Sequence, residues 1–189
     1  IADAKAEMID NIKQNGTIIL NGDDNFFNYH KNIGLKKKLR VLSFGINNKF
    51  SSTKLIKVKR VKNRFQLLVK VENKNYIFYS NNDNKSNIYN ILASITAINI
   101  FYDLNKINNH IFLKFRSPKG RGDISKIRIK NKNIYLVDET YNSNPLSLKT
   151  AIENFDKISL KKISKFLVLG DMLELGKYSI NQHKLISKD

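Results

Sequence analysis

The chain has 189 residues, of which 41% are hydrophobic and 26% charged, with no cysteine and only two prolines. This composition is sufficient for a buried core, and it excludes a disulfide-stabilised scaffold, a collagen-like repeat and a wholly disordered tail. The formal net charge is +18, but 28 of the 34 basic residues are lysines, and asparagine occurs 26 times. Both residue types have A/T-rich codons, so codon bias explains the charge better than a nucleic-acid partner, which would favour arginine.

The first half of the chain predicts an α/β sheet followed by an antiparallel patch. Apolar residues at helical spacing predict a helix that begins at the first residues and ends before Gly16. A strand over 17–20 then leads into the polar turn 21–24, which is typical of a ligand loop. Further strands are predicted over 40–44, 55–61, 65–71 and 76–79, with Ile56 and Val58 on one face, and a helix over 88–102. No apolar run reaches the roughly 18 residues of a membrane span.

The second half predicts a hairpin and a βαβ unit. The Pro- and Gly-containing stretch 115–122 favours a domain boundary, which divides the chain into 1–116 and 117–189. A hairpin over 124–137 and a helix over 146–155 follow, and 166–169 predicts another strand. Parallel pairing of the strands that end at Val137 and Leu169 would place Asp138 and Asp171 at the same sheet edge.

Several side chains are candidates for chemistry on pattern alone. Lys5 shares a helix face with apolar residues, which predicts either a snorkelling amine or a buried one with a lowered pKa that could react with carbon dioxide. Asn87 and Asn90 fit a helix start, where they could simply cap the helix. Arg121 lies between two glycines that permit close approach to a phosphate, and the polar stretch 138–145 follows a strand. The three histidines are too widely spaced to predict a metal site.

Six stretches, in order along nearly the whole chain, resemble motifs of the Mur ligase family. They are residues 1–7, 16–24, 87–93, 115–122, 138–145 and 170–176, and Ser179 and His183 extend the last one. The stretches Asp-Glu-Thr-Tyr-Asn-Ser-Asn-Pro and Gly-Asp-Met-Leu-Glu-Leu-Gly are similar to those of the members that add D-alanyl-D-alanine. The resemblance implies the back half of a central ATPase domain (a mixed sheet plus an antiparallel patch), followed by the start of a Rossmann-like C-terminal domain.

The resemblance also implies an activity and its cofactors. ATP, with Mg²⁺, would phosphorylate the carboxylate of a UDP-N-acetylmuramoyl-tripeptide, and the amine of D-alanyl-D-alanine would attack the acyl phosphate. Such an enzyme of peptidoglycan synthesis is expected to be cytoplasmic and monomeric. By their positions in the motifs, Lys5 would be a carbamylated magnesium ligand, Asn87 and Asn90 adenine-side residues, Arg121 and Asp138 phosphate and ribose contacts, and Asn142 and Asn144 dipeptide contacts. Glu139 could replace Asp138 in its role.

Two departures from the family pattern keep other interpretations open. Ser86 stands where the family has a histidine, and the Gly-rich phosphate loop is not in this chain, so we expect the segment alone to be inactive. The alternatives are a sister Mur ligase, a folyl-polyglutamate-type ligase, an inactive remnant and a basic nucleic-acid-binding module.

Overall fold

A computed structural model describes residues 2–115, 119–158 and 164–186. The chain divides into two compact units, Ile1–Phe115 and Arg116–Asp189. The predicted boundary between 116 and 117 lies outside the described residues. That residues 1–116 are a partial central ATP-binding domain and 117–189 a partial C-terminal ligase domain stays a prediction.

The first unit is built on a mixed β-sheet. Its elements are α1 (Ala2–Asp10), β1 (Thr17–Asn21), α2 (Phe27–Lys36), β2 (Arg40–Gly45), β3 (Thr53–Val61), β4 (Arg64–Val71), β5 (Lys74–Ser80) and α3 (Lys85–Phe101). The strands lie in the order β1-β2-β3-β4-β5. β1, β2 and β3 run parallel, and β3, β4 and β5 form antiparallel hairpins. The predicted α/β class, with a mixed sheet and an antiparallel patch, is confirmed.

The core of the first unit lies between this sheet and α3. Its buried members are aliphatic and aromatic side chains of β4, β5, α3 and the short turn after it: Leu67, Val69, Val71, Phe78, Ile88, Ile91, Leu92, Ile95 and Leu104. The α3 members recur every three or four residues, so one helix face is apolar and packs against the sheet. This packing places the N-terminal turns of α3 near the ends of the parallel strands.

A β-bulge in β3 corrects one prediction about which side chains face the core. Strict alternation predicted that Ile56 and Val58 would share a face. The register of β3 against β4 shifts between Leu55 and Lys57, so Leu55 and Val58 pack against the core and Ile56 is 47% exposed. The extra residue of a bulge changes the phase of the alternation, and the apolar pattern of this strand does not reveal it.

The second unit contains β6 (Asp123–Ile129), β7 (Lys132–Asp138), α4 (Pro145–Lys157) and α5 (Ser179–Ile186). The predicted hairpin is confirmed, with β6 and β7 paired antiparallel and a turn at Lys130 and Asn131, which both have positive φ. No helix in the described part of the chain is both long and apolar enough to cross a membrane.

The predicted strand over 166–169 is wrong, and with it the βαβ unit. Residues 164–175 contain no strand, and Phe166 and Val168 are 83% and 93% exposed. β7 pairs with β6 instead of a parallel neighbour. Because a strand satisfies its backbone groups only by pairing, an apolar run without a pairing partner among the described residues stays irregular. Asp138 and Asp171 therefore do not lie at a common edge of a parallel sheet.

Candidate active site

A polar loop follows β1 at the edge where the parallel strands end. Its central residue, Asp23, accepts hydrogen bonds from three consecutive backbone N–H groups of the β2–β3 loop: Ile46 at 2.6 Å, Asn47 at 3.0 Å and Asn48 at 2.6 Å. The Asn48 side chain donates in return to the carbonyl of Gly22 at 2.9 Å. One carboxylate thus joins the loops that follow two neighbouring strands.

Two glycines allow these loops to approach each other closely. A Cβ on Gly22 would lie 2.5 Å from the Ser51 hydroxyl oxygen, and one on Gly45 would lie 2.8 Å from the same atom and 3.1 Å from Asp23 Oδ1. Real Cβ atoms do not approach other atoms as closely as 2.5–2.8 Å, so a larger residue at either position would force the Ser51 side chain to move. The two glycines therefore let the loops that Asp23 joins pack closely.

Asp23 also binds α3. The Tyr89 hydroxyl donates to Asp23 Oδ2 at 2.8 Å, and the Tyr89 ring meets Phe44 of β2 edge-on at 6.4 Å between ring centroids. Burial acts to raise the pKa of Asp23, but the backbone hydrogen bonds and that from Tyr89 outweigh it and hold the pKa below its ordinary value. Desolvation, then the hydrogen bond and charge of Asp23, raise the pKa of Tyr89 to about 12. Asp23 is thus a carboxylate and Tyr89 a neutral phenol at neutral pH.

Helix α1 is held against α2 by polar contacts. The His30 ring nitrogen Nε2 donates to the carbonyl of Ala2 at 3.0 Å, and the Tyr29 hydroxyl donates to Asp3 at 2.7 Å. The Lys37 ammonium donates to the carbonyl of Asp10. These contacts fix α1, and with it Lys5, beside the end of β1.

Lys5 lines a cavity of about 190 Å³ at this edge, together with Ile19, Leu20, Asn21, Asp24, Phe27, His30 and Phe44. Of the two interpretations of Lys5, a snorkelling amine and a buried one, the exposure of the residue fits the first. Of its helix face, Ile9 is buried but Met8 is 74% exposed, so α1 buries a narrower stripe than its apolar residues indicated. The wall of the cavity that Lys5 lines contains both polar and apolar residues.

Asn87 and Asn90 lie in the first two turns of α3. The Asn87 amide donates to the buried Ser80 hydroxyl at 2.9 Å, which ties the start of α3 to the end of β5. Asn90 is exposed. Neither caps the helix, since the N-cap is Asn84 and its side chain makes no capping hydrogen bond. The structure therefore gives Asn87 a structural contact and leaves the Asn90 amide facing outward.

In the second unit, the Gly120–Gly122 turn packs on the stretch after β7. Gly120 has a φ of +76° and accepts a hydrogen bond from the Tyr141 N–H at 3.0 Å. The Arg121 guanidinium lies 4.2 Å from the centroid of the Tyr141 ring, within cation–π range. The described residues of the two motifs 115–122 and 138–145 are thus in contact.

Asp138 and Glu139, at the end of β7, have pKa values shifted in opposite directions. Asp138 accepts hydrogen bonds from the hydroxyl and the backbone N–H of Thr140, at 2.7 and 3.0 Å, and these lower its pKa. Desolvation, followed by the negative charges of Asp138 and Asp123, raises the pKa of Glu139. Asp138 therefore keeps its negative charge to lower pH than Glu139 does. Glu139 lies beside Gly122, where an added Cβ would be 2.8 Å from the Glu139 carboxylate.

Asn142 is exposed, and Asn144 caps α4. The Asn144 side-chain oxygen accepts from the Ser147 N–H at 2.9 Å, and the Ser147 hydroxyl accepts from the Asn144 N–H at 3.0 Å, with Pro145 at the first helical position. This capping box accounts for the Asn-x-x-Ser spacing without a ligand. The amide nitrogen of the Asn144 side chain takes no part in this cap.

His183 explains the spacing of the last motif. Its Nε2 accepts a hydrogen bond from the Met172 N–H at 3.0 Å, and its Nδ1 donates to the Ser179 carbonyl at 2.8 Å. The ring thereby joins the 170–176 stretch to the first turn of α5, and Met172 is 3% exposed beneath it. This part of the motif has a structural role.

Within each unit, the structure brings only some of the predicted residues together. Lys5 lies with the polar loop of 21–24, and Arg121 lies with the 138–141 stretch. The sequence analysis missed Asp23 and Tyr89 as a pair, since 66 positions separate them, and it missed His30 as the support of α1. The described residues hold no group of three histidine and acidic side chains arranged for a metal.

Comparison with known proteins decides the family. Residues 1–98, just over half of the chain, match the Mur ligase middle domain. The chain belongs to the Mur ligase family. It is 30% identical over 191 residues to the UDP-N-acetylmuramoyl-tripeptide–D-alanyl-D-alanine ligase of Buchnera aphidicola subsp. Baizongia pistaciae, covering 98% of this chain. The corresponding ligase of the subspecies Acyrthosiphon pisum is 29% identical over 98% of this chain.

Solved structures share the fold. MurF ligase from Thermotoga maritima, in complex with ADP, superposes with a TM-score of 0.77 at 21% identity, covering 98% of this chain and 40% of that protein. MurF from Acinetobacter baumannii gives 0.75 at 20% identity, covering 96% and 37%. The chain spans 38% and 39% of the length of the two Buchnera relatives. Its fold is thus that of a part of these ligases.

Proposed function

We propose that this chain is part of an ATP-dependent amide ligase of peptidoglycan synthesis, which joins D-alanyl-D-alanine to a UDP-N-acetylmuramoyl-tripeptide. The observation that carries the proposal is the place of Lys5. In a chain of this family, Lys5 lines a cavity together with Asn21 and Asp24, at the edge where β1 ends. Ligands of α/β proteins bind at that edge of the sheet.

The reaction would run through an acyl phosphate. The γ-phosphoryl group of ATP passes to a carboxylate oxygen of the peptide, and ADP leaves. The free amine of D-alanyl-D-alanine then attacks the acyl carbon, inorganic phosphate departs, and the nitrogen loses one proton as the amide forms. The protein's part in such a reaction is to position the groups and to neutralise charge.

A magnesium ion would fit the chemistry of the Lys5 cavity. Asp24 offers a carboxylate whose Oδ1 already accepts from the Phe26 N–H at 2.7 Å, which orients it and leaves the second oxygen available. A carbamate on Lys5 would add another oxygen donor, and Mg²⁺ prefers oxygen ligands, keeping waters and substrate phosphates in its remaining positions. When bound, the ion would neutralise charge on the phosphates.

Each unit, taken by itself, offers side chains for nucleotide contacts. Asn87 and Asn90 would contact the adenine, with Asn87 oriented by its hydrogen bond to Ser80. Arg121 would bind phosphate oxygens, since its guanidinium is flanked by glycines and steadied on the Tyr141 ring. Asp138, a firm anion, would accept from the ribose, and Glu139 is the alternative for that role.

The dipeptide would be bound by the stretch after β7. Asn142 is exposed, and the Asn144 amide nitrogen is not used by the α4 cap, so both can meet a carboxylate or a peptide carbonyl. A ligase acting on these substrates would work as a cytoplasmic monomer, and its product would serve cell-wall growth and division.

A substrate panel tests the proposed function. Phosphate release by the full-length protein is measured with ATP, Mg²⁺ and UDP-N-acetylmuramoyl-tripeptide, with either D-alanyl-D-alanine or single amino acids as acceptor. We expect release that depends on D-alanyl-D-alanine. Release with a single amino acid instead would contradict the dipeptide acceptor, and no release with any acceptor would contradict the proposed substrate pair.

A further inference from the structure

Helix α3 begins without a cap of its own. The side chain at its N-cap, Asn84, makes no capping hydrogen bond, and the first turn carries no acidic residue. Caps and acidic first-turn residues normally compensate the unsatisfied N–H groups of a helix start. The position of this end of α3 therefore depends on its contacts with the sheet.

Two polar contacts fix that end. Asn87 donates to Ser80 at the end of β5, and Tyr89 donates to Asp23 in the loop after β1 at 2.8 Å. Asp23 is itself held by three N–H groups of the loop after β2. The Tyr89 hydroxyl thus joins the helix start to an anchor that spans the loops of two parallel strands.

Only the Phe44 side chain is needed to connect Tyr89 to the Lys5 cavity. Its ring lies edge-on to Phe44, and Phe44 forms part of the cavity wall with Lys5 and Asp24. Along α3, Tyr89 directly precedes Asn90 and lies two residues after Asn87. Tyr89 therefore contacts the sheet edge that holds Lys5, and it lies in the same part of α3 as Asn87 and Asn90.

We infer that Tyr89 is a positioning residue for ATP, which acts through its hydrogen bond to Asp23 by holding Asn87 and Asn90 at a fixed place relative to the Lys5 edge. The inference rests on the proposed function. Tyr89 itself need not touch the nucleotide, since its hydroxyl is used by Asp23. Loss of the hydroxyl should weaken ATP binding and leave the chemical step and the dipeptide site intact.

The test compares Tyr89→Phe with wild type in the full-length protein. The substitution removes one hydroxyl and keeps the ring against Phe44. We expect the KM for ATP to rise about three- to tenfold, with kcat and the KM for D-alanyl-D-alanine unchanged within about twofold, the pattern of lost binding alone. Tyr79→Phe is the matched control, because the Tyr79 hydroxyl accepts from Gln66 on the neighbouring strand, at 3.3 Å; it should change none of these values. A lower melting temperature with an unchanged KM for ATP would show a purely structural role and overturn the inference.

Hydrogen exchange provides a readout that does not need activity. In Tyr89→Phe, the amides of residues 46–48 and 87–91 should exchange faster than in wild type and in Tyr79→Phe. Unchanged exchange in both segments overturns the inference. If wild type forms no product with ATP, the proposed function fails, and the exchange result then decides by itself whether Tyr89 holds the helix.

Discussion

Asp23 is the residue on which the edge of the first sheet depends. Sequence reasoning places it in a ligand loop, yet its carboxylate is used by the protein itself, with three backbone N–H groups and one phenol as donors. Hydrogen bonds to a charged group contribute about 1.5–3 kcal/mol. A residue of the predicted ligand loop therefore holds the protein's own loops and helix α3 together.

The lowered pKa of Asp23 predicts a pH-dependent contribution to stability. A carboxyl whose folded pKa lies below its ordinary value of 3.8 stabilises the fold above that value and loses the effect as pH falls through the folded pKa. Asp23→Asn should lower the free energy of unfolding by about 2–3 kcal/mol near pH 7, and the deficit should shrink below about pH 4. Urea unfolding measured across this range checks it, with the exposed Asp83→Asn as control. A deficit that stays constant into acid would show that the charge of Asp23 is not what matters.

Substitutions of Lys5 test whether its amine is carbamylated. If it is carbamylated, Lys5→Ala and Lys5→Arg should both lower kcat in the full-length protein by at least about 100-fold, the upper range for lost support of a metal. Arginine fails because its guanidinium stays charged and forms no carbamate. Added formate or acetate should partly restore Lys5→Ala alone. Lys13→Arg, an exposed lysine just after α1, is the control and should remain active. An active Lys5→Arg enzyme would rule out the carbamate.

At the scale of elements, most of the fold could be predicted because its patterns are local. The strands of the first unit, its helices α1 and α3, and the β6–β7 hairpin follow from apolar periodicity and turn residues. Helix α2 (Phe27–Lys36) was not predicted, because its buried residues, His30 and Gly34, form no apolar stripe. The bulge at Ile56 could not be predicted, because one inserted residue changes the phase without changing composition. The strand over 166–169 failed for another reason: strand formation depends on a partner elsewhere, and periodicity does not say whether one is present.

The site was predicted less well than the fold, for a related reason. The resemblance singled out Lys5, Arg121 and Asp138 by motif, but the Asp23–Tyr89 pair joins two elements far apart in sequence. The Asn144 capping box, by contrast, is readable from spacing. Contacts within a motif can be inferred from the chain, whereas contacts between motifs need the fold.

The Gly120–Gly122 turn allows a prediction at this scale. Gly120 has a positive φ, and an added Cβ would lie 2.9 Å from the Tyr141 backbone nitrogen. Gly120→Ala should therefore destabilise the second unit by about 1–3 kcal/mol and expose the Tyr141 amide to exchange. Gly170→Ala is the matched control, since no atom lies within 4 Å of its added Cβ. Equal thermal midpoints for the two variants would contradict the structure of this turn.

For the molecule as a whole, the charge of +18 does little to hold the fold together. The ion pair between Arg40 and Glu72 is 3.8 Å long, with both side chains more than half exposed, and such pairs contribute about 0–1 kcal/mol. Stability of the first unit comes instead from the core between α3 and the sheet. The positive charge can attract anionic substrates such as ATP and UDP-linked peptides.

We propose that this chain belongs to an enzyme that makes an amide through an acyl phosphate. The most direct measurement uses UDP-N-acetylmuramoyl-tripeptide labelled with ¹⁸O at both oxygens of its reacting carboxylate, together with ATP, D-alanyl-D-alanine and the full-length protein. Mass spectrometry of the products should show one ¹⁸O atom in the released phosphate for each amide formed, because the phosphate leaves with a former carboxylate oxygen. Amide formation with unlabelled phosphate, or the absence of any amide product, would contradict the account.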